Sequence, residues 1–275
     1  MAQHMIFYFT GTGNSLKSAL TIARKLQGST NDTARVVCMG PDEPFSFTGC
    51  CDTIGFVFPC HFGGVPWRVL EYVRALDLTG QESAYRYAVV TYGGGFAATS
   101  LGQLNAVLTE KGFPLDYGAM AQAFSTYVVL YKMSTKLNEK TTLLKTRLEQ
   151  VIADILKRHS LPPKCMNAVA GMYNRFATSN GVKNEDCHFA AGDACVSCGQ
   201  CARVCPVGNI TLEGDPPRPR WHHRCTQCLA CLQLCPREAI DFGAKTRGRG
   251  RYKHPEVTVP MLIAYNHNHT EPLGY

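Results

Sequence analysis

The most constraining feature of this chain is a cysteine pattern that occurs twice, 30 residues apart. The first copy reads CVSCGQCARVCP and begins at Cys195, and the second reads CTQCLACLQLCP and begins at Cys225. A tight loop with the spacing C-x2-C-x2-C supplies three of the four thiolates that an iron–sulfur cubane needs. The pattern therefore predicts two [4Fe–4S] clusters.

The fourth ligand of each predicted cluster comes from the other run. In the bacterial two-cluster arrangement, the cysteine that precedes proline crosses to the partner cluster. We therefore expect two ligand sets, which are Cys195, Cys198, Cys201 and Cys235 for one cluster and Cys225, Cys228, Cys231 and Cys205 for the other. The open alternative exchanges Cys205 and Cys235 between the clusters.

Other uses of cysteine fit this pattern less well. A lone CxxC suits zinc or a redox dithiol equally, but two matched runs that each end in proline disfavour both. The start of the sequence has no apolar signal segment and no long apolar run follows, so we expect free thiols and a reducing cytoplasm. The other six cysteines lack ligand spacing and are expected to be small buried residues, with Cys60 as the exception because it lies in one of the binding loops described below. They are Cys38, Cys50, Cys51, Cys60, Cys165 and Cys187.

At 275 residues the chain is long enough for one full domain and a small one. We predict a first domain over 1–160, a linker with a helix from Met166 to Phe176 over 161–190, a cluster domain over 191–243, and a basic tail over 244–275. The cluster domain is expected to be a small α+β unit with two pseudo-symmetric halves, because each cysteine run is followed by a short β-like segment.

Short apolar strand patterns alternate with helical patterns in the first domain. The strands are predicted at Met5–Phe9, Arg35–Met39, Thr53–Pro59, Tyr85–Tyr92 and Leu115–Phe124. The helices are predicted at Asn14–Gln27, Pro66–Leu76, Thr99–Lys111 and Asn138–His159, the last with a buried stripe of Leu143, Leu144, Leu148, Val151, Ile152, Ile155 and Leu156. The alternation predicts an α/β domain with a doubly wound, parallel five-stranded sheet.

Three loops follow the carboxyl ends of these strands, where open α/β sheets bind ligands. The first is a glycine-rich turn whose amides and hydroxyls suit an anion, with a plain tight turn as the alternative. Its residues are Thr10, Gly11, Thr12, Gly13, Asn14 and Ser15. The turn matches neither the P-loop motif of nucleoside triphosphatases, GxxxxGK[ST], nor the dinucleotide-binding motif, GxGxxG. The other two loops contribute Pro59, Cys60, His61, Phe62 and Gly63, and Thr91, Tyr92, Gly93, Gly94 and Gly95.

The TGTGNS loop resembles the flavodoxin phosphate loop, [ST]-x-T-G-x-[ST], at Thr10 and at each position from Thr12 to Ser15. The whole chain resembles a fusion family in which a flavodoxin-like domain precedes a bacterial two-[4Fe–4S] ferredoxin domain. Further shared motifs are PVGNI at 206–210, AI at 239–240 and TRGRGRYKHPE at 246–256.

The resemblance implies FMN, with its phosphate in the first loop and its ring between the other two. Relatives often carry a tyrosine after Pro-x in the second loop, whereas this chain has His61 followed by Phe62. The expected stacking candidates are His61, Phe62 and Tyr92. Simple packing within the loops is the alternative for each of them.

The net charge argues against a nucleic-acid partner. The formal charge is +7, but two oxidised clusters with their thiolates add about −4 and a flavin phosphate adds roughly −2. The cations of the tail, from Lys245 to Lys253, are expected to be solvated, to dock an acidic partner, or to fold back over the cofactors.

The combined sites predict a soluble electron carrier that passes low-potential electrons between FMN and the clusters. The expected partner is a ferredoxin or another oxidoreductase, with no nucleic acid and no membrane, and the oligomeric state is open. The alternative is a flavin-dependent reductase of a small organic substrate, which the clusters feed with electrons.

Overall fold

The structure is a computed structural model, which describes residues 2–28, 32–40, 43–94, 97–163, 168–176 and 181–267. The first domain contains five strands and four helices in alternation. They are β1 (Gln3–Tyr8), α1 (Asn14–Leu26), β2 (Thr33–Cys38), β3 (Thr53–Pro59), α2 (Trp67–Ala75), β4 (Tyr85–Tyr92), α3 (Ala98–Glu110), β5 (Tyr117–Gln122) and α4 (Leu137–Leu156).

The five strands form one parallel sheet in the order β2-β1-β3-β4-β5. This is the flavodoxin-like doubly wound order, so the predicted fold is confirmed. The side chains of α1 and α4 are buried on one face of the sheet, and those of α2 and α3 on the other. Because both faces are covered, the central strand β3 is apolar and buried along almost its whole length.

The predicted elements are all present, and most of their ends move by one to three residues. The buried stripe of α4 was predicted too wide, because Leu143 and Leu156 are 48% and 56% exposed. The buried residues Leu144, Leu148, Val151, Ile152 and Ile155 fill the face toward the sheet. Leu143 lies one position, about 100°, away from Leu144 around the helix and so points outward.

The chain continues through helix α5 (Ala168–Phe176), whose predicted start at Met166 lies outside the described residues. Two short helical turns at 182–188 lead into the small domain. Its elements are β6 (Phe189–Ala191), α6 (Gln200–Arg203), β7 (Ile210–Glu213), β8 (Arg218–Trp221), α7 (Ala230–Gln233) and β9 (Ile240–Phe242). Strand β6 pairs with β9 and β7 with β8, both antiparallel, which confirms the predicted α+β unit.

The two cysteine runs repeat the same backbone geometry. In each run, the residues on either side of the second cysteine have positive φ: Ser197 and Gly199 in the first, and Gln227 and Leu229 in the second. A one-turn helix, α6 or α7, follows and carries the third cysteine. The repeat shows that both loops curl in the same way, although three of these four residues are not glycine.

The segment after β9 packs back along both domains and ends in helix α8 (Val259–Asn266). The Arg251 side chain is only 4% exposed and pairs with Asp241 at 2.9 Å. Asn266 donates a hydrogen bond to the carbonyl oxygen of Val204 and accepts one from Tyr8. This segment therefore ties the sheet of the first domain to the small domain.

Among the cysteines outside the two runs, Cys38 and Cys51 are buried and Cys60 is half-buried. The prediction of burial is wrong for Cys50 and Cys187, which lie in exposed connections and are exposed themselves. Cys165 lies outside the described residues. In the part of the chain that the structure describes, no helix is both long and apolar enough to cross a bilayer.

Candidate functional site

One group of four thiols surrounds a small cavity at the surface of the second domain. The cavity is lined by Cys195, Cys198 and Cys201 of the first run and by Cys235 of the second. The pKa of the Cys201 thiol is raised to about 11, mainly by burial and also by the neighbouring thiols of Cys198 and Cys235. The structure thus brings together the first ligand set expected from the sequence.

The second group of four thiols lies deeper in the protein, because Cys205, Cys225 and Cys231 are buried. Burial raises the pKa of the Cys231 thiol, and the thiols of Cys225, Cys228 and Cys205 beside it act in the same direction. The Cys228 pKa is raised to about 12, first by burial and then by Cys205. Cys205 therefore faces the thiols of the run that follows it, as crossed ligation requires.

Backbone amides support the sulfur atoms in a repeated way. The amide of Asn209 donates to Cys205 Sγ and the amide of Ala239 donates to Cys235 Sγ, each at 3.3 Å and each four residues after its cysteine. Such hydrogen bonds stabilise a thiolate and tune the potential of a cluster. The donor set therefore fits an iron–sulfur group.

Within the described residues, no three His, Cys, Asp or Glu side chains converge closely enough to hold one metal ion. The four thiolates of a [4Fe–4S] cluster bind four different iron atoms and so lie further apart than the ligands of one zinc ion.

A larger cavity of about 390 Å³ opens at the carboxyl ends of the strands, where the three predicted loops meet. The predicted residues that line it are Thr10, Gly11, Thr12, Asn14, Ser15, Pro59, Cys60, His61, Phe62, Gly63, Thr91, Tyr92, Gly93 and Gly94. Gly95 lies outside the described residues. Gly13 is turned away from the cavity and lies within van der Waals reach of His254 and Val257.

The first loop is held by its own hydroxyl groups. Gly13, with φ +101°, donates its amide to Thr10 Oγ1 at 3.1 Å, so the chain turns directly into α1. Ser15 Oγ lies 2.8 Å from Thr91 Oγ1, which joins the first loop to the third. The N-terminus of α1 therefore faces the cavity, and helix N-termini bind anions.

His61 of the second loop is a neutral side chain in the cavity wall. Burial lowers its pKa to about 4, and its Nδ1 atom is buried without a hydrogen-bond partner among the described residues. The next residue, Phe62, packs edge-on against Tyr127 with their ring centres 5.5 Å apart.

A fourth loop, which follows β5, was not predicted from the sequence. It lines the cavity with Ala123, Phe124, Ser125, Thr126, Tyr127, Leu130 and Tyr131. Leu130 and Tyr131 are 64% and 44% exposed. The loop has no motif, and the available signal was its place at the same edge of the sheet with several aromatic residues.

The second cysteine run forms the remaining wall of the same cavity, through Gln227, Cys228 and Leu229. A Cβ atom added to Gly11 would lie 2.6 Å from the carbonyl oxygen of Cys228. Trp67 at the start of α2 donates its indole N–H to the carbonyl oxygen of Cys225 at 2.9 Å. One thiol set and the loop cavity therefore share a wall.

The small domain also has relatives among known proteins. Residues 194–240 match the family model of the 4Fe-4S dicluster domain. An uncharacterized ferredoxin of Methanocaldococcus jannaschii is 34% identical over 55 residues, which is 18% of this chain and 33% of that protein. A ferredoxin of Methanothermococcus thermolithotrophicus is 33% identical over 43 residues, which is 16% of this chain and 72% of that protein.

Among solved structures, a flavodoxin of Streptococcus pneumoniae is similar to 57% of this chain and 99% of its own length, at 16% identity and a TM-score of 0.39. This chain spans only a third of the length of the Methanocaldococcus jannaschii ferredoxin, and most of the length of the Methanothermococcus thermolithotrophicus ferredoxin. The parallel sheet of the first domain has the flavodoxin-like strand order. The chain therefore belongs to the ferredoxins, as a fusion in which the ferredoxin domain follows a flavodoxin-like domain.

Proposed function

We propose that the protein is an electron carrier that holds FMN in the loop cavity and two [4Fe–4S] clusters in the two thiol sets. It passes low-potential electrons between the flavin and the clusters and on to a partner, which is a ferredoxin or another oxidoreductase of the cytoplasm. When bound, FMN supplies two-electron chemistry and each cluster supplies one-electron chemistry.

The observation that carries this proposal is the contact between Gly11 and Cys228. Gly11 belongs to the loop proposed to hold the phosphate, and Cys228 belongs to the thiol set proposed to hold a cluster. An added methyl group at Gly11 would overlap Cys228, so the two loops are in direct contact. No other polypeptide separates the two sites at this point.

The cavity suits FMN by its lining. The hydroxyls of Thr10, Thr12 and Ser15 and the start of α1 supply neutral donors for a phosphate, and the described lining residues include no Lys or Arg. Five phenylalanine and tyrosine rings also line the cavity and suit a flat ring system. They are Phe62, Tyr92, Phe124, Tyr127 and Tyr131.

The two thiol sets differ in their access to solvent, which suits a carrier. Cys225, Cys205 and Cys231 are buried, whereas Cys198 is exposed. The neighbouring Val196 is also exposed. We therefore propose that the partner contacts the surface around Val196 and Cys198, while the buried set faces the flavin cavity.

A second candidate function is reduction of a small organic substrate at the flavin. The observation that favours it is an adjoining open cavity of about 480 Å³ on the outer side of the third and fourth loops. Lys132, Ser134 and Lys140 line it, together with Gly93 and Tyr131 of the first cavity. A small anionic substrate would suit this lining.

Anaerobic purification followed by cofactor analysis tests the proposal. We expect about one FMN and about eight iron atoms per chain, since each cubane contains four iron atoms. Less than half of that flavin, or iron for one cluster only, would contradict it. Faster oxidation of the reduced protein by a small carboxylate acceptor than by a ferredoxin would favour the reductase.

A further inference from the structure

The two cysteine runs differ at two positions that do not ligate a cluster. The residue before the second cysteine is Ser197 in the first run and Gln227 in the second. The residue two positions before the last cysteine is Arg203 in the first run and Gln233 in the second. Arg203 is exposed and Ser197 half-buried, whereas Gln227 and Gln233 are only 5% and 0% exposed. Since buried side-chain amides need hydrogen-bond partners, the second run is built for contacts that the first run lacks.

In the first run, these two positions bond within the small domain. Ser197 Oγ donates to the carbonyl oxygen of Pro217 at 2.5 Å. The guanidinium group of Arg203 donates to the carbonyl oxygen of Cys198 at 3.3 Å. Both runs nevertheless have the same backbone geometry. A cysteine loop of this shape therefore does not itself require glutamine at either position.

Gln233 holds the fourth loop of the flavin cavity. Its Nε2 atom donates to the carbonyl oxygen of Thr126 at 2.7 Å, and its Oε1 atom accepts from the amide of Tyr252 at 2.6 Å. A flipped amide would lose both hydrogen bonds, so these partners fix its orientation. The ring of Tyr252 stacks on Phe124 of the same loop. Gln233 thus anchors the loop directly at Thr126 and through Tyr252 at Phe124.

Gln227 makes a second connection to the same loop. Its Oε1 atom accepts a hydrogen bond from the hydroxyl of Tyr127, whose ring lines the cavity. The backbone amide of Gln227 donates to Cys225 Sγ at 3.2 Å. The side chain of Gln227 therefore holds a ring of the cavity, while its backbone supports a proposed cluster ligand.

The fourth loop has few other attachments to the first domain. In the described part of the chain, its backbone bonds to the backbone of the sheet at Ala123, and its remaining backbone–backbone hydrogen bonds run inside the loop. Asn14 donates to the carbonyl oxygen of Phe124 at 3.5 Å, and Arg249 of the C-terminal segment donates to that of Val128. The position of this cavity wall therefore depends mainly on side chains that follow the first domain in the sequence.

We propose that Gln227 and Gln233 are positioning residues, which hold the fourth loop as a wall of the flavin cavity. The second cysteine run then completes the FMN site in addition to holding a cluster. The proposal rests on the FMN site proposed above. A wall that is in place before FMN binds need not be ordered on binding, so the loss of an anchor weakens the affinity.

The contact between Gln227 and Tyr127 can be removed from either side. Gln227→Leu and Tyr127→Phe should each weaken FMN binding about tenfold, as expected for one lost hydrogen bond. The double variant should bind no more weakly than the weaker single variant, because both changes remove one bond. Gln227→Glu keeps an acceptor oxygen and should retain most of the affinity. Leucine suits the positive φ of position 227, since Leu229 of the same run has φ +60°.

Gln233→Leu removes both hydrogen bonds of the second anchor and should also weaken FMN binding at least about tenfold. Arg203→Leu is the matched control, because it changes the same position of the first run, where the side chain is exposed. We expect Arg203→Leu to bind FMN with the wild-type affinity. Equal weakening in Arg203→Leu and Gln233→Leu would overturn the positioning role, because both cysteine runs would then affect the flavin site alike.

FMN affinity is measured without oxygen by quenching of flavin fluorescence, and iron content with the circular dichroism spectrum shows whether each variant folds. Tyr127→Phe leaves the cysteine run intact, so it tests the proposal even if a glutamine variant loses iron. Wild-type affinity in Tyr127→Phe, or additive losses in the double variant, would overturn the proposal. If the wild-type protein binds no FMN, the proposed function fails, whereas a wild type that binds FMN with unaffected variants refutes only this inference.

Discussion

Gly11 and Cys228 are in van der Waals contact, although 217 positions separate them in the sequence. An added Cβ atom at Gly11 would lie 2.6 Å from the carbonyl oxygen of Cys228 and 2.7 Å from its Cβ atom. The space between the two residues therefore accommodates only the hydrogen atoms on the Cα atom of Gly11. The contact sets how closely the proposed phosphate loop approaches the second cysteine run.

Gly11→Ala should therefore separate the two loops. Overpacking of this kind costs about 1–3 kcal/mol, and here the strain falls on both proposed cofactor sites. We expect a lower thermal midpoint and reduced FMN and iron content in protein purified without oxygen. Gly181→Ala is the matched control, because its φ is negative and its Cβ would meet open space. Equal cofactor contents in the two variants would contradict the account.

Cys205→Ala tests crossed ligation. Cys205 faces the thiols of the second run, so its loss should remove the deeper cluster and leave about four of the expected eight iron atoms. The small domain should also lose stability. Iron analysis and electron paramagnetic resonance of the reduced protein measure this, with the exposed Cys187→Ala as the control. Two intact four-iron clusters in Cys205→Ala would show that the crossed assignment is wrong.

The C-terminal segment should stabilise the cofactor loops through Tyr252. Its ring stacks on Phe124 with centres 5.2 Å apart, and its hydroxyl donates to Asn14 Oδ1 at 3.0 Å. Tyr252→Ala should weaken FMN binding more than Tyr252→Phe, which keeps the stacking worth about 1 kcal/mol. Affinity measured by fluorescence decides this, and equal losses in both variants would assign the effect to the hydroxyl alone.

Stability should fall as the pH drops from about 6.5 toward 4. The pKa of His254 is lowered to about 4, mainly because the side chain is buried. The negative charge of Glu256 raises this pKa, whereas the positive charges of Lys17 and Lys145 lower it. In this pH range the unfolded chain therefore binds a proton that the folded protein does not, which favours unfolding. The slope is at most about 1.4 kcal/mol per pH unit for one such group.

His254→Gln should flatten this dependence. In the wild type, His254 Nδ1 accepts a hydrogen bond of 3.0 Å from the backbone amide of Glu256. A glutamine side chain retains an acceptor oxygen for this amide. Thermal midpoints between pH 5 and 7.5, measured without oxygen, should fall less steeply in the variant than in the wild type. Parallel curves for the two proteins would contradict the linkage.

The sequence predicted those features that depend on local pattern. The cysteine runs could be recognised because the ligands of an iron–sulfur cluster lie close together in the sequence. Residues 10–15 could be recognised as a binding loop because a strand, a tight turn and the start of a helix follow one another directly. The parallel five-stranded sheet followed from the alternation of strand and helix patterns.

Features that depend on distant contacts could not be predicted. Asn174 donates a hydrogen bond to the carbonyl oxygen of Phe62, which lies 112 positions earlier, and α5 gives no local signal of this contact. The C-terminal cations were ambiguous because the carbonyl and carboxylate groups that accept from Arg249 and Arg251 lie in other elements. The fourth loop has no motif, so its place at the cavity is evident only once the sheet has formed.

Electron exchange between the flavin site and the clusters within one chain is the central claim, and light-driven reduction of the flavin tests it most directly. With a sacrificial donor and no oxygen, a light pulse should bleach the flavin absorbance first and the cluster absorbance afterwards. The account predicts that the second phase has the same rate at every protein concentration. Clusters that stay oxidised, or a rate that rises in proportion to concentration, would contradict it.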